Sequence, residues 1–582
     1  MILKELSPLF SYLSKHKKGI AVGCVWLILT NCFVLSLPWV LKYAIDGLKG
    51  GINSRALSFY ASLILAVSLV AGVFRFLMRR GLIGISRKIE YDLRNDFFRH
   101  LQRLSPSYFN RTPTGDLMSR ATNDLDAVRM LLGPGLLNLF NTIIISITAV
   151  SLMIYIDPWL SLYSLIPLPF LSLIINRMGK ELYWRFERVQ AHYSRLSAQV
   201  QENFAGIRVV KAYGQESDQI KRFRRSNLEF VSKNMSLVKI WGFFLPLMLL
   251  FSGMGMLIVL WLGGKAVIVN RITLGEFVAF NGYLIMLVWP ITALGWVLNL
   301  FQRGATSMGR ISQILQQKPD ISNASHPIRV TSLRGEIELR NVIFAYEENS
   351  EPVLKGISLK IPPGSTLAIV GPTGSGKSTL VNLIPRLYDP TGGSLLIDGT
   401  DIRRIPLKIL RRHIGYVPQE GFLFSDTIRE NIALGKISFK EDEVMAAASA
   451  SQILEDINHF PRKFLTQTGE RGITLSGGQK QRVGLARALI ANPRILILDD
   501  PFSQVDTSTE EAIWKSIREK TAGSTKILVT HRISSVRDAD RIIVLSGGKI
   551  VEEGTHKELL ARKGTYAELY RKQLIRQELE EL

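Results

Sequence analysis

The sequence predicts two parts of different class: an α-helical domain that crosses a membrane six times, followed by an α/β domain built around a parallel sheet. Three observations carry this. Six long runs free of Asp, Glu, Lys and Arg crowd into roughly the first 300 residues, each reaching the ~18 residues needed to cross hydrocarbon as a helix. No run of that length follows Gly335, and the later part alternates short β-branched stretches with helical ones.

The spans are expected at about 19–44, 56–78, 130–156, 158–177, 240–264 and 277–302, within a membrane domain of residues 1–316. One apolar run is explained by a buried helix, but six are not. The first run lacks a small-residue cleavage site and is expected to stay as a membrane helix rather than act as a removable signal. With 72 Lys+Arg against 49 Asp+Glu the net charge is +23, and the basic residues concentrate between Arg79 and Arg129 and between Arg177 and Lys239. Positive segments resist translocation, so these segments, the N-terminus and everything after Gln302 are expected in the cytoplasm, in a multi-pass protein of the inner (cytoplasmic) membrane. Topology thus accounts for the charge, and no nucleic-acid partner is expected. The two cysteines, Cys24 and Cys32, share one apolar run, which excludes a disulfide framework and a Cys-rich zinc module.

Between spans, Leu82 to Leu104 and Glu181 to Gln201 keep apolar residues at helical spacing, as in Ile89, Leu93, Phe97 and Leu101, and are expected to carry the helices into the cytosol. The breaks at Ser105 to Asp116 and Ala205 to Glu216 are natural contact points for a cytoplasmic domain. A polar linker follows over 317–334, with Pro319, Ser322, Asn323, Ser325 and Pro327, and the second domain occupies 335–582.

That domain opens its chemistry at Gly371-Pro372-Thr373-Gly374-Ser375-Gly376-Lys377-Ser378, followed by Thr379. The pattern is G-x-x-x-x-G-K-[ST], placed between the strand Thr366 to Val370 and a helix from Ser378. Glycines let backbone N–H groups curl toward phosphate oxygens, Lys377 supplies a point charge, and Ser378 is a ligand for Mg²⁺. A carboxylate for the same ion comes from Ile495-Leu496-Ile497-Leu498-Asp499, where a buried strand ends in an acid at the carboxyl edge of the sheet. Asp500 follows, where a general base orients an attacking water. Between these motifs lies Leu475-Ser476-Gly477-Gly478-Gln479, a second anion-binding turn opening a helix.

This pentapeptide, with the phosphate loop before it and Asp499 after it, resembles the ATP-binding cassette (ABC) family. The resemblance covers nearly the whole chain, with six spans preceding the cassette as in exporter-type half-transporters of the bacterial MdlA and YheI multidrug type. It implies ATP and Mg²⁺ as ligands, and two cassettes packed head to tail, each ATP lying between one chain's phosphate loop and the other chain's signature. Residue by residue, Tyr346 resembles the aromatic that stacks on adenine, and Gln419 the glutamine that senses Mg²⁺ and water. Thr468 to Gly472, around Glu470, resembles the exporter segment that meets the coupling helices. Asp506 resembles the acid of the loop crossing the dimer seam, although Ser503-Gln-Val-Asp506 departs from the commoner SALD. His531 resembles the switch histidine at the γ-phosphate.

One further departure bears on activity. Where most active cassettes carry Glu, this chain has Asp500, one methylene shorter, and a displacement of about 1 Å from the water costs on the order of 10²-fold in rate. In heterodimeric exporters this substitution marks the weaker site, so a related second half-transporter is the favoured partner, a homodimer the alternative. The expected activity is ATP-driven export of amphipathic or hydrophobic compounds. A lipid flippase of the same architecture and an ATP-binding membrane sensor with little turnover stay open. Aromatic residues on the later spans, Trp241, Phe243, Phe244, Phe280, Tyr283 and Trp289, suit such a cargo.

Overall fold

The structure, a computed structural model, describes residues 5–581 apart from 50, 52, 325, 329, 348, 349 and 533; Ser325 of the expected linker therefore lies outside the described residues. The chain divides into two units, Met1–Gln102 with Thr114–Gln317, and Arg103–Pro113 with Lys318–Leu582.

The first unit is helical. A short helix α1 (Leu9–Lys15) precedes α2 (Lys17–Lys49) and α3 (Ser54–Leu101). After α4 (Pro106–Arg111), which packs with the second unit, come α5 (Thr114–Ile156), α6 (Pro158–Leu165), α7 (Pro167–Ala205), α8 (Ile207–Ala212), α9 (Glu216–Ile268) and α10 (Leu274–Leu315). Five of these, α2, α3, α5, α9 and α10, are long and apolar enough to cross a membrane. The run expected at 158–177 covers α6 and the start of α7, which meet at Ile166, a residue with helical angles (φ −52°, ψ −43°). Pro167 has no N–H to return to the preceding turn, and Asp157 and Pro158 start α6 as an N-cap and first residue, the Asp157 side chain accepting from the Leu160 N–H at 2.9 Å. The polar stretch from 82 continues helix α3 as far as Leu101, and 181–201 lies within α7.

Close backbone approach sets how α2 meets α10. A Cβ on Gly275 would stand 2.2 Å from the Lys42 carbonyl oxygen, so only glycine fits. The opening is used by polar groups: Asp46 accepts from the Thr273 hydroxyl and the Gly275 N–H, both at 2.7 Å, and Lys42 pairs with Glu276 at 2.9 Å. Beside this contact, Phe280 and Tyr283 are fully buried, the Tyr283 hydroxyl donating to the Leu35 carbonyl at 2.9 Å. They belong to the packing of this unit and are withdrawn from the expected cargo surface, whereas Trp241, Phe243 and Trp289 are exposed.

In the second unit a six-stranded sheet runs in the order β10-β9-β3-β8-β7-β6, from β3 (Thr366–Val370), β6 (Ile414–Val417), β7 (Ile495–Asp499), β8 (Thr525–Val529), β9 (Arg541–Ser546) and β10 (Lys549–Gly554). It is parallel except for β10. Strand β7 is buried at all five positions, because both faces of a parallel sheet are covered and a continuous Ile/Leu run is what such a strand needs. An antiparallel sheet, β2-β1-β4-β5, joins β1 (Ile337–Phe344), β2 (Leu354–Ile361), β4 (Gly392–Ile397) and β5 (Thr400–Asp401). The linker is tied to this unit: Asn323 accepts from the Leu407 N–H at 2.9 Å, and the Ile328 N–H donates to the Arg404 carbonyl at 3.0 Å.

Helix α4 belongs here as well. The Asn110 amide donates to the Tyr388 hydroxyl at 2.9 Å, and Arg111 donates to the Tyr346 carbonyl at 3.0 Å. The part of the first break up to Pro113 thus belongs to the second unit itself, with Asn110 and Arg111 beside its aromatic residues. The second break, around α8, is exposed at Phe204, Val209 and Tyr213.

Candidate functional site

The carboxyl ends of β3 and β7 and the loop after β8 converge on one cavity. It is lined by Thr373, Gly374, Ser375, Gly376, Lys377, Ser378 and Thr379, together with Val353, Gln419, Asp499, Asp500, Val529 and His531. The loop from β3 is shaped by its glycines. Gly371 has φ +152° and a Cβ there would stand 2.1 Å from the Leu545 carbonyl oxygen; Gly376, at φ +99°, turns the chain into α11 (Lys377–Leu383). Gly371 and Pro372 do not line the cavity but hold its lysine: Lys377 Nζ donates to both of their carbonyls at 2.9 Å.

The register of the sheet brings the acids to the loop. Asp499 pairs with Val529 across β7 and β8, and the Asp500 N–H donates to the Val529 carbonyl at 2.8 Å, fixing a backbone with φ +49°, a left-handed conformation that Asp tolerates. Ser378 Oγ donates to Asp499 Oδ1 at 3.1 Å. Burial pushes the Asp499 carboxyl above its ordinary value, with the Asp500 charge adding to it, while Ser378 and Lys377 pull the other way. Burial likewise lowers Lys377, against the attraction of Asp499 and Asp500. His531 is lowered by burial and by the Lys377 charge, opposed by the charge of Asp500.

These groups fit a polyphosphate with a hard cation. The Ser375 hydroxyl is 3% exposed and has no partner, a donor left for an anion in the curl of the loop. Ser378, Asp499 and Gln419 offer only oxygen ligands, the donor set that Mg²⁺ takes. Tyr346 stands beside the cavity, its hydroxyl 3.0 Å from Thr379 Oγ1 and its ring edge-on to Phe344 and Tyr388.

The signature lines a different cavity, formed by Ser476, Gly477, Gly478, Arg482, Gln504, Val505 and Asp506. Leu475 is buried in the packing behind it, and Gln479 completes a capping box with Ser476 at the start of α12 (Gly477–Ile490), its amide donating to Asp456 at 2.8 Å. Asp506 caps α13 (Thr507–Lys520), accepting from the Thr509 N–H at 2.9 Å and the Ser508 hydroxyl at 2.7 Å. These bonds hold its carboxyl down at about 2. Glu470 is exposed in a single 3₁₀ turn, Glu470–Gly472.

Sequence reading missed Val353, Tyr388 and Gln504. The first two come from parts of the chain without a motif. Gln504 lies inside the departure from SALD, and its side chain occupies the place where a Cβ on Gly477 would be.

Residues 20–291 match the ABC transporter transmembrane region and residues 354–503 the ABC transporter family. Over 575 residues the chain is 38% identical to the probable multidrug resistance ABC transporter ATP-binding/permease protein YheI of Bacillus subtilis, covering 98% of this chain and 97% of that protein. It is 36% identical to the ATP-dependent lipid A-core flippase of Syntrophus aciditrophicus, covering 96% and 92%. A solved structure of a bacterial Atm1-family ABC exporter with ATP bound superimposes with a TM-score of 0.80 at 27% identity, covering 96% of this chain and 99% of that one. A helical membrane unit fused to an α/β unit, matched by both family models and by relatives over nearly the whole chain, makes this chain a member of the ABC transporter family, of the exporter type.

Proposed function

We propose that the chain is one half of a dimeric exporter of the cytoplasmic membrane, with its N-terminus and cassette in the cytoplasm and six spans, which uses ATP hydrolysis to move amphipathic, hydrophobic compounds outward. The name of the YheI relative supports the multidrug reading of the cargo. The observation that carries the dimer is the separation of the two cavities: the phosphate loop and Asp499 line one, and Ser476, Gly477 and Gly478 line the other. Each supplies half of what a triphosphate needs, and a second cassette packed head to tail brings complementary halves together.

In this reading Lys377, Ser375 and the loop N–H groups bind and orient the phosphates. Ser378, Asp499 and Gln419 hold Mg²⁺, which when bound neutralises charge on the phosphate oxygens. Asp500 accepts a hydrogen bond from the attacking water, and His531 donates toward the γ-phosphate. Tyr346 stacks on the adenine, and the signature with Asp506 closes on the nucleotide of the other chain. Because Asp500 is a methylene shorter than Glu, the favoured partner is a related half-transporter that carries Glu there.

The test is Asp500→Glu in the full chain, with ATPase measured alone and with a candidate partner. A rise on the order of 10²-fold at the chain's own site is expected. Absence of turnover and of vanadate-trapped nucleotide in the native chain and in every pairing would overturn the exporter in favour of a sensor. The lipid A-core flippase relative supports a second reading, lipid translocation. Reconstituted inside-out vesicles separate the two, since a flippase moves a labelled lipid between leaflets and leaves drug accumulation unchanged.

A further inference from the structure

The loop 503–506 is held from two sides. From the signature helix, Gln481, only 4% exposed, donates through Nε2 to the Ser503 hydroxyl at 2.7 Å and accepts from the Gln504 N–H at 3.1 Å. From the other side comes the residue after His531. Arg532 donates to the Val505 carbonyl at 2.9 Å and to Glu510 on α13 at 2.7 Å, and its own N–H is fixed by the Thr530 hydroxyl at 3.0 Å. Glu510 is 4% exposed, and its other oxygen accepts from Ser535, so this buried carboxylate is held by the segment that carries His531. A buried charge must be paired, and removing its partner leaves it uncompensated, so neither side of this contact moves freely without the other.

We propose that Arg532 is a positioning residue that locks loop 503–506 to the His531 loop through Val505 and Glu510, so that a shift of His531 displaces Asp506 and its neighbours at the signature cavity. Gln481 completes the tie by carrying the same loop on α12. The inference rests on the ATPase reading for its kinetic consequence but not for its structural one.

The experiment uses the full chain with Arg532→Met, Glu510→Gln, the double substitution, and Arg532→Lys as a variant that keeps the charge. Hydrogen exchange without nucleotide is expected to accelerate roughly 10-fold at 503–506 in both single variants, with the phosphate loop 371–378 unchanged. The double variant is expected to match the singles, as it does when one interaction is removed twice. In ATPase assays kcat is expected to fall roughly 10-fold with KM within twofold, and Arg532→Lys to recover part of the loss. Unchanged exchange at 503–506, multiplied effects in the double variant, or parallel loss of kcat and ATP affinity would overturn the proposal. Lack of turnover in the unsubstituted chain would defeat the ATPase reading instead, and the exchange data would still decide the tie.

Discussion

Ser378 Oγ lies 3.1 Å from Asp499 Oδ1, joining the first turn of α11 to the last residue of β7 across 121 positions of sequence. In the proposed site this hydroxyl and carboxylate would be two oxygen ligands of one cation, and a bound Mg²⁺ would replace their hydrogen bond. Ser378→Ala is therefore expected to lower Mg²⁺-dependent ATPase by at least about 10-fold, with a raised Mg²⁺ requirement. Titration of activity with Mg²⁺ at saturating ATP measures it, and an unshifted Mg²⁺ curve would remove Ser378 from the metal site.

The same geometry predicts a stability cost. Folding raises the Asp499 carboxyl above its ordinary 3.8, chiefly by burial. A group so raised binds its proton more tightly when folded. Its contribution is full below 3.8 and is lost as pH rises through the raised value. At neutral pH the ionised Asp499 therefore works against folding in the metal-free protein. Asp499→Asn keeps an acceptor for Ser378 without the charge. It is expected to melt higher than the native chain at pH 7.5 in chelator, with the advantage shrinking as pH falls toward 4, while hydrolysis is lost. Thermal unfolding followed across that range settles the sign, and a variant that melts lower at pH 7.5 contradicts it.

In the membrane unit the contact of α2 with α10 depends on one missing side chain. Gly275→Ala would drive a methyl into the Lys42 carbonyl, a backbone atom with nowhere to go, and disturb the bonds of Asp46 to Thr273 and Gly275. A cost of about 1–3 kcal/mol is expected, seen as a lower melting temperature and less monodisperse protein. Gly72→Ala, where a Cβ meets nothing within 4 Å, serves as the control and is expected to be silent.

Much of this molecule is legible in the chain because its strongest signals are local. Uncharged runs long enough to cross a bilayer, a phosphate loop between strand and helix, and an apolar strand ending in Asp499 each state their structure within a few residues. Strand β3 spans Thr366–Val370 as its β-branched run implies, and β7 ends one residue later than the apolar run, taking in Asp499 itself. Within the run at 158–177, Pro167 lacks the N–H that would close the turn, so α6 and α7 meet at Ile166, whose backbone angles stay helical.

What the sequence by itself determined was the pair of domains and the family, since each rests on composition or on motifs of fixed spacing. Only the tertiary structure decided that Phe280 and Tyr283 pack inside the membrane unit, that Asn110 and Arg111 reach Tyr388 and Tyr346, and that Arg532 and Gln481 grip the loop before Asp506. Those contacts join residues far apart in the chain, through hydrogen bonds and buried surface that leave no periodic trace along it.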